Sequence, residues 1–309
     1  MAVENLRGKR ILVTEDLHEE GIRMLEEAGM ELVHWDWQDL PGPDTPTDVD
    51  AIIGKQYFQC NAELIDRLLP QLKWVITCGA GKNNIDEVHC AEKGVHVFNA
   101  PGSNAVSVAE QAIMMFIGGL RHLNECQSSL REGQWMRDQL AGNELMGKTV
   151  GIIGLGAIGK ALAKRLDAFD VNTIYHDIER YPDFEAEWDV EFVSQDELLG
   201  RADIVTIHVW LDEHTENMAN AEFFSKMKDG AMFFNLARGP MVVLDDLKAA
   251  LRSGKLRYAG LDVYPNEPND DMDLMSIPNL IVTPHTSGIP HEGYVRMNTW
   301  AIQWFFNEA

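Results

Sequence analysis

Five short apolar runs in the second half of this chain each end in glycines or in a polar residue. Lys148-Thr149-Val150-Gly151-Ile152-Ile153 runs into Gly154-Leu155-Gly156-Ala157-Ile158-Gly159, and Thr173-Ile174-Tyr175-His176 runs into Asp177. Met232-Phe233-Phe234-Asn235 leads to Arg238, Ala259-Gly260-Leu261-Asp262-Val263 to Glu267, and Leu280-Ile281-Val282-Thr283 to His285. Helix-like stretches separate the runs, and that alternation is the pattern of a parallel sheet covered by helices. In such a sheet the five endings share the carboxyl edge, where doubly wound folds bind ligands. Residues dispersed in sequence would then converge in space.

The same alternation appears earlier. Lys9–Thr14 reads as a strand, followed by an amphipathic helix with Leu17, Ile22, Leu25 and Ala28 on one side. Glu31–His34, Ala51–Gly54 and Lys73–Thr77 add short strands, and the Pro-rich stretch Leu40–Asp48 reads as a surface loop. This first α/β unit ends near Ala100, with Ala100-Pro101-Gly102 as a linker. Ser107–Leu123 is a helix with too few polar positions for a lone surface helix, so its burial is expected between domains or subunits. After the glycines, Ile158, Leu162, Leu166 and Phe169 fall on one helix face; Ser194 with Glu197 forms a capping box, and Gly254 is a helix stop. A final helix, Tyr294–Phe306, needs a packing partner, and the first unit is the natural one. The expected fold is therefore α/β with two Rossmann-like or flavodoxin-like domains. A central doubly wound sheet (101–285) is inserted in a discontinuous domain (1–100 with 286–309).

Length and composition agree: 309 residues with 45% apolar content fit two domains, and 24% charged residues with eight Trp and twelve Phe fit a globular chain. No apolar run is long enough to span a bilayer, and Met1–Arg10 has no signal-peptide core. The expectation is a soluble cytoplasmic protein without a membrane partner. A formal net charge of −23 weighs against nucleic acid, whose phosphates would repel it. Cys60, Cys78, Cys90 and Cys126 lack zinc-ligand spacing and read as reduced, mostly buried thiols, so no metal site is expected.

The glycine run carries the first chemical signal. It follows a β-rich run, opens an amphipathic helix and precedes the acidic Asp177 by 18 positions from Gly159. Gly154 permits a tight turn, Gly156 lets backbone approach a pyrophosphate, and Gly159 allows close packing of helix on strand. The helix N-terminus offers free N–H groups to phosphate. Asp177 can accept hydrogen bonds from ribose hydroxyls and would repel a 2′-phosphate, which favours NAD over NADP, although Arg180 lies three residues on.

Arg238, Glu267 and His285 carry the second. Reducing a 2-oxo acid requires a carboxylate anchor, a hydride for the carbonyl carbon and a proton for its oxygen. The planar fork of Arg pairs bidentately with a carboxylate. His transfers protons near neutral pH, and a neighbouring carboxylate would orient it and favour its protonated form.

At these residues the chain resembles the NAD-dependent D-2-hydroxyacid dehydrogenase family. The matching segments are Gly79-Ala80-Gly81-Lys82-Asn83-Asn84-Ile85-Asp86, Ser107-Val108-Ala109-Glu110, the glycine run, Asn235-Leu236-Ala237-Arg238-Gly239, Asp262-Val263 with Glu267-Pro268, and Thr283-Pro284-His285. The resemblance implies an interdomain cleft and a homodimer built through the helix around Ser107–Leu123. It implies that Arg238 binds the substrate carboxylate, and that His285 is the general acid in reduction, with Glu267 as its partner. Backbone amides around Ala80, Gly81 and Lys82 would hold the carboxylate from the other domain. Ala157 and Ile158 would face the pyrophosphate, Leu236, Ala237 and Asp262 would lie beside the nicotinamide, and Trp210, Thr215 and Ser287 complete the expected cofactor contacts. Trp210 stands where relatives have Pro, while Pro240 and Pro290 also depart from the pattern.

The substrate implied is a small 2-hydroxy or 2-oxo acid. Lys55 and Lys82, in two loops that would line the outer end of its pocket, are candidates to read a second anionic group. A regulatory NAD-sensing binding module with little turnover is the reading from another class.

Overall fold

The computed structural model describes residues 3–308. Its elements begin with β1 (Arg10–Val13), α1 (Glu19–Glu27), β2 (Glu31–His34), β3 (Ala51–Gly54), α2 (Ala62–Leu68), β4 (Trp74–Thr77), α3 (Glu87–Lys93) and β5 (His96–Phe98). There follow α4 (Ala105–Leu120), α5 (Leu123–Arg131), β6 (Thr149–Ile153), α6 (Ala157–Leu166), β7 (Asn172–His176), α7 (Pro182–Trp188), β8 (Val190–Phe192) and α8 (Gln195–Arg201). The chain ends with β9 (Ile204–Ile207), α9 (Ala221–Lys226), β10 (Ala231–Asn235), α10 (Leu244–Arg252), β11 (Leu256–Leu261), α11 (Met272–Met275), β12 (Leu280–Val282) and α12 (His291–Glu308). Two units emerge, Met1–Asn104 with Ile289–Ala309, and Ala105–Gly288.

The first unit holds a five-stranded sheet in the order β2-β1-β3-β4-β5, with every neighbouring pair parallel. Its central strands are apolar on both faces because both are covered. Ile11, Val13, Ile53 and Ile76 point to one side, where they meet Leu25 of α1 and Ala301, Ile302 and Phe305 of α12. Leu12, Ile52 and Val75 point to the other, against Leu64, Ile65 and Leu68 of α2 and Cys90 of α3. The two-residue period of a strand thus sorts one apolar run into two cores.

The second unit holds seven parallel strands in the order β12-β11-β10-β9-β6-β7-β8. Strand order reverses at β6, with β7 and β8 on one side and β9 to β12 on the other. Val150, Ile152, Met232, Phe234 and Tyr258 face one core, and Ile153, Val205, Phe233 and Leu261 face the opposite one. Burying each such large side chain is worth roughly 1.5–3 kcal/mol of transfer free energy.

Two helices differ in extent from expectation. The long helix is α4, and Val108, Ala112, Met115, Phe116 and Leu120 bury it inside the second unit, with the Phe116 and Phe234 rings 4.7 Å apart. One side of α4 lies on the sheet face of β10 and β11, while Val106 and Met114 on the same helix stay exposed. Phe169 does not share the α6 face, because a 3-10 turn over Asp167–Phe169 follows Leu166 and leaves Phe169 36% exposed.

Among the described residues no helix is long and apolar enough to cross a membrane, and no group of three or more His, Cys, Asp or Glu could hold a metal ion. The four cysteines are free thiols.

Candidate active and dinucleotide site

The reversal of strand order at β6 opens the sheet edge where its loop emerges, and the glycines occupy that place. Gly154 has φ +98°, and a Cβ there would lie 2.8 Å from the His208 carbonyl. A Cβ on Gly159 would lie 2.2 Å from the Gly154 oxygen, so helix and strand pack at glycine distance. Gly156 is different: nothing stands within 4 Å of its missing side chain. It caps α6 without a side-chain hydrogen bond, and Gly156 and Ala157 are exposed while Ile158 is half-buried. An open approach to uncapped helix N–H groups suits the pyrophosphate of a dinucleotide.

Asp177 follows β7 directly. Its Oδ2 accepts from the Leu155 N–H at 2.6 Å and its Oδ1 from the Glu179 N–H at 3.2 Å, which fixes the carboxylate beside the glycine turn. Lone pairs remain on both oxygens for ribose hydroxyls. Trp210, beyond β9, leaves its indole 66% exposed. The Thr215 hydroxyl donates to the Trp210 carbonyl at 2.7 Å and accepts from the Asp212 N–H at 2.8 Å, so it closes its own turn.

Three neighbouring strands, β10, β11 and β12, deliver Arg238, Glu267 and His285. His285 Nδ1 lies 2.7 Å from Glu267 Oε2, and Glu267 Oε1 accepts from the Tyr264 N–H at 3.0 Å. Burial alone would raise the Glu267 carboxyl, but hydrogen bonds from His285 and Tyr264 and the charges of His285 and Arg238 bring it below its usual range. An ionised carboxylate only accepts, so Nδ1 is the donor and Nε2 is left for other chemistry. Burial pulls the Arg238 guanidinium below its ordinary value, partly offset by the charge of Glu267. Arg238 Nη1 donates to the Ala237 carbonyl at 2.7 Å, and Leu236 and Ala237 are buried.

His285 has φ +53°, an uncommon conformation for a residue with a side chain. Asp262, fully buried, holds it there. The Asp262 carbonyl accepts from the His285 N–H at 2.8 Å, and its carboxylate accepts from Thr283 Oγ1 (2.5 Å), Thr286 N (2.9 Å) and Ser287 N (3.0 Å). Sequence reading placed Asp262 and Ser287 only as cofactor neighbours and did not reveal this clamp. It also gave Asn235 no task, yet Asn235 Oδ1 accepts from the Ala237 N–H at 3.0 Å and its Nδ2 donates to the Arg238 carbonyl at 2.8 Å. A polar residue closing an apolar strand was the available signal in both cases.

In the first unit, Lys55 follows β3. Its ammonium lies 3.4 Å from the Tyr294 hydroxyl and 5.3 Å from that ring's centre. Ala80, whose carbonyl accepts from Asn99 Nδ2 at 2.7 Å, Gly81 and Lys82 follow β4 and are half-buried. Lys82 is ion-paired with Glu87.

Residues 113–287 match the family model described as D-isomer specific 2-hydroxyacid dehydrogenase, NAD binding domain. The chain belongs to the D-isomer specific 2-hydroxyacid dehydrogenase family. Among this family's members, a hydroxypyruvate reductase of Thermotoga maritima is 34% identical over 97% of this chain and 98% of its own. A D-3-phosphoglycerate dehydrogenase of Methanocaldococcus jannaschii is 36% identical over 92% of this chain. The match takes in 54% of that relative, so the chain spans about half the length of some curated relatives. The crystal structure of D-lactate dehydrogenase from Aquifex aeolicus, complexed with NAD and lactic acid, superposes with a TM-score of 0.82 at 25% identity, over 96% of this chain and 95% of that one. The cofactor of the family's domain is NAD, and the glycine turn and Asp177 described above fit it.

Proposed function

We propose that this protein reversibly oxidises a small D-2-hydroxy acid to the 2-oxo acid with NAD, using Arg238, Glu267 and His285. The observation that carries this reading is the 2.7 Å contact of His285 Nδ1 with Glu267 Oε2, after β12 and β11, the latter adjacent to the β10 that delivers Arg238. NADH, when bound, supplies a hydride to the carbonyl carbon. Arg238 pairs with the substrate carboxylate and draws electron density from the carbonyl. His285 gives the proton on Nε2 to the carbonyl oxygen as charge builds there, and Glu267 stabilises the imidazolium that precedes the transfer. In the oxidative direction the neutral imidazole takes the hydroxyl proton. Asp177 and the N-terminus of α6 hold the adenosine ribose and the pyrophosphate, with Ser287 and Leu236 nearer the nicotinamide.

For the substrate, Lys55 is the better candidate than Lys82 to read a second anionic group, because Glu87 already neutralises the Lys82 ammonium. Dimer formation is supported by the apolar side chains of Met114, Leu123, Leu130 and Trp135, left exposed along and after α4. The free thiols support a reducing compartment such as the cytoplasm.

A panel of 2-oxo acids with NADH, followed by loss of cofactor absorbance, tests the reading. Glyoxylate, hydroxypyruvate, pyruvate and 3-phosphohydroxypyruvate span the relevant sizes and charges. Turnover of at least one, lost on Lys55→Met only for the dianionic member, is the expected result. Tight NADH binding with no turnover of any would favour a regulatory binding module instead.

A further inference from the structure

Between Val171 and Glu187 the chain has one Arg or Lys, Arg180, three residues beyond Asp177. A cation in that position is what an adenosine 2′-phosphate would require. Here the cation is already committed. Arg180 Nε lies 3.0 and 3.2 Å from the two carboxylate oxygens of Glu185, and Nη2 lies 2.8 Å from Oε2. The two partners differ in exposure: the Arg180 side chain is 61% exposed and the Glu185 side chain 13%.

Glu185 is anchored from the core. The hydroxyl of Tyr175, a fully buried residue of β7, donates to Glu185 Oε1 at 2.7 Å and accepts from the Tyr181 N–H at 3.0 Å. The guanidinium also lies 5.6 Å from the centre of the Phe192 ring. A carboxylate fixed by a buried phenol sets the position, and the longer, more mobile arginine follows it. Hydrogen bonds from Arg180 and then Tyr175 hold the Glu185 carboxyl below its usual range, as a standing pair requires.

We propose that Glu185 is a second determinant of cofactor choice, keeping the Arg180 guanidinium from a 2′-phosphate placed beside Asp177. Discrimination against NADP then has two parts: repulsion by the Asp177 carboxylate, and withdrawal of the one cation of the Val171–Glu187 stretch, Arg180. The inference rests on the dinucleotide reading of this site and extends it to Glu185 on α7, which need not touch the cofactor.

The test compares NADH and NADPH in the wild type, Asp177→Ala, Glu185→Gln and their combination, with kcat/KM as the readout. If no 2-oxo acid turns over, dissociation constants from nucleotide fluorescence serve the same comparison, so failure of the proposed reaction is distinguishable from failure of this inference. Asp177→Ala should relax the preference for NADH. Adding Glu185→Gln should raise NADPH use by about tenfold more, the worth of one charge-assisted hydrogen bond, and a third change, Arg180→Met, should remove that increment. No increment in the combination, or one that survives Arg180→Met, overturns the proposal. A further variant leaves Glu185 intact: in the Asp177→Ala background, Arg180→Met should leave NADPH use unchanged. A loss there would mean that Arg180 already reaches the phosphate.

Discussion

Gly239 approaches Tyr264 so closely that a Cβ on it would lie 1.8 Å from the Tyr264 carbonyl carbon. The Arg238 loop and the loop that carries Glu267 are therefore seated backbone to backbone. Gly239→Ala has no flexible side chain to displace and must push the loops apart. Expected are a destabilisation of about 1–3 kcal/mol from overpacking and a fall in kcat of roughly a hundredfold from misplaced groups. Thermal unfolding and steady-state kinetics on one preparation check both, and kcat within a factor of two of wild type would show that the contact is slack.

His285→Ala removes the proposed proton donor without touching the glycine turn. Turnover should fall by about 10²–10⁴-fold, while the NADH dissociation constant stays close to wild type. Retained turnover would take His285 out of the mechanism.

Asp262 holds the His285 segment through three donors to one carboxylate. Asp262→Asn keeps the shape but replaces one acceptor oxygen with a donor that opposes a backbone N–H. With His285 in a left-handed conformation, the segment should relax toward ordinary backbone geometry. The expected loss in kcat is about tenfold or more, from one mispaired buried group of 1–3 kcal/mol. Kinetics with a saturating 2-oxo acid measure it, and an unchanged kcat would mean that other contacts hold the loop.

His208 is buried at the end of β9, with Nε2 3.0 Å from Thr206 Oγ1 and no hydrogen-bond partner for Nδ1 among the described residues. Burial lowers its pKa from 6.5 to about 3. Between those values the unfolded chain binds a proton that the folded one excludes, so stability rises with pH and is lost as pH falls below 6.5. At pH 5 the cost from this group is roughly 2 kcal/mol, on the order of 1.4 kcal/mol per pH unit. His208→Gln, which does not titrate, should flatten the denaturation midpoint between pH 6.5 and 5. An unchanged slope would assign the acid sensitivity elsewhere.

Some features were legible because their physics is local. Strand ends such as Glu31–His34 and Ala51–Gly54 follow from apolar runs bounded by turn residues, and β10 to β12 follow from the same pattern. Gly254 stops α10 with φ +79°, and Ser194 caps α8 through the Glu197 N–H at 3.3 Å. Phe169 misled because helical spacing says where a side chain would point if the helix continued, not where the helix ends.

The amino-acid sequence alone determined the alternation of strand and helix, the glycines at the β6 turn, and the order of Arg, Glu and His along the chain. Each depends on backbone conformation or on apolar periodicity within a few residues. Only the tertiary structure decided that α4 packs against β10 and β11, that Asp262 clamps the His285 loop, and that Glu87 and Glu185 occupy Lys82 and Arg180. A charged side chain takes whichever partner the folded neighbourhood brings within reach. In a chain with 49 acidic and 26 basic residues, that competition is settled by strand order and by which carboxylates are anchored, neither of which local spacing encodes.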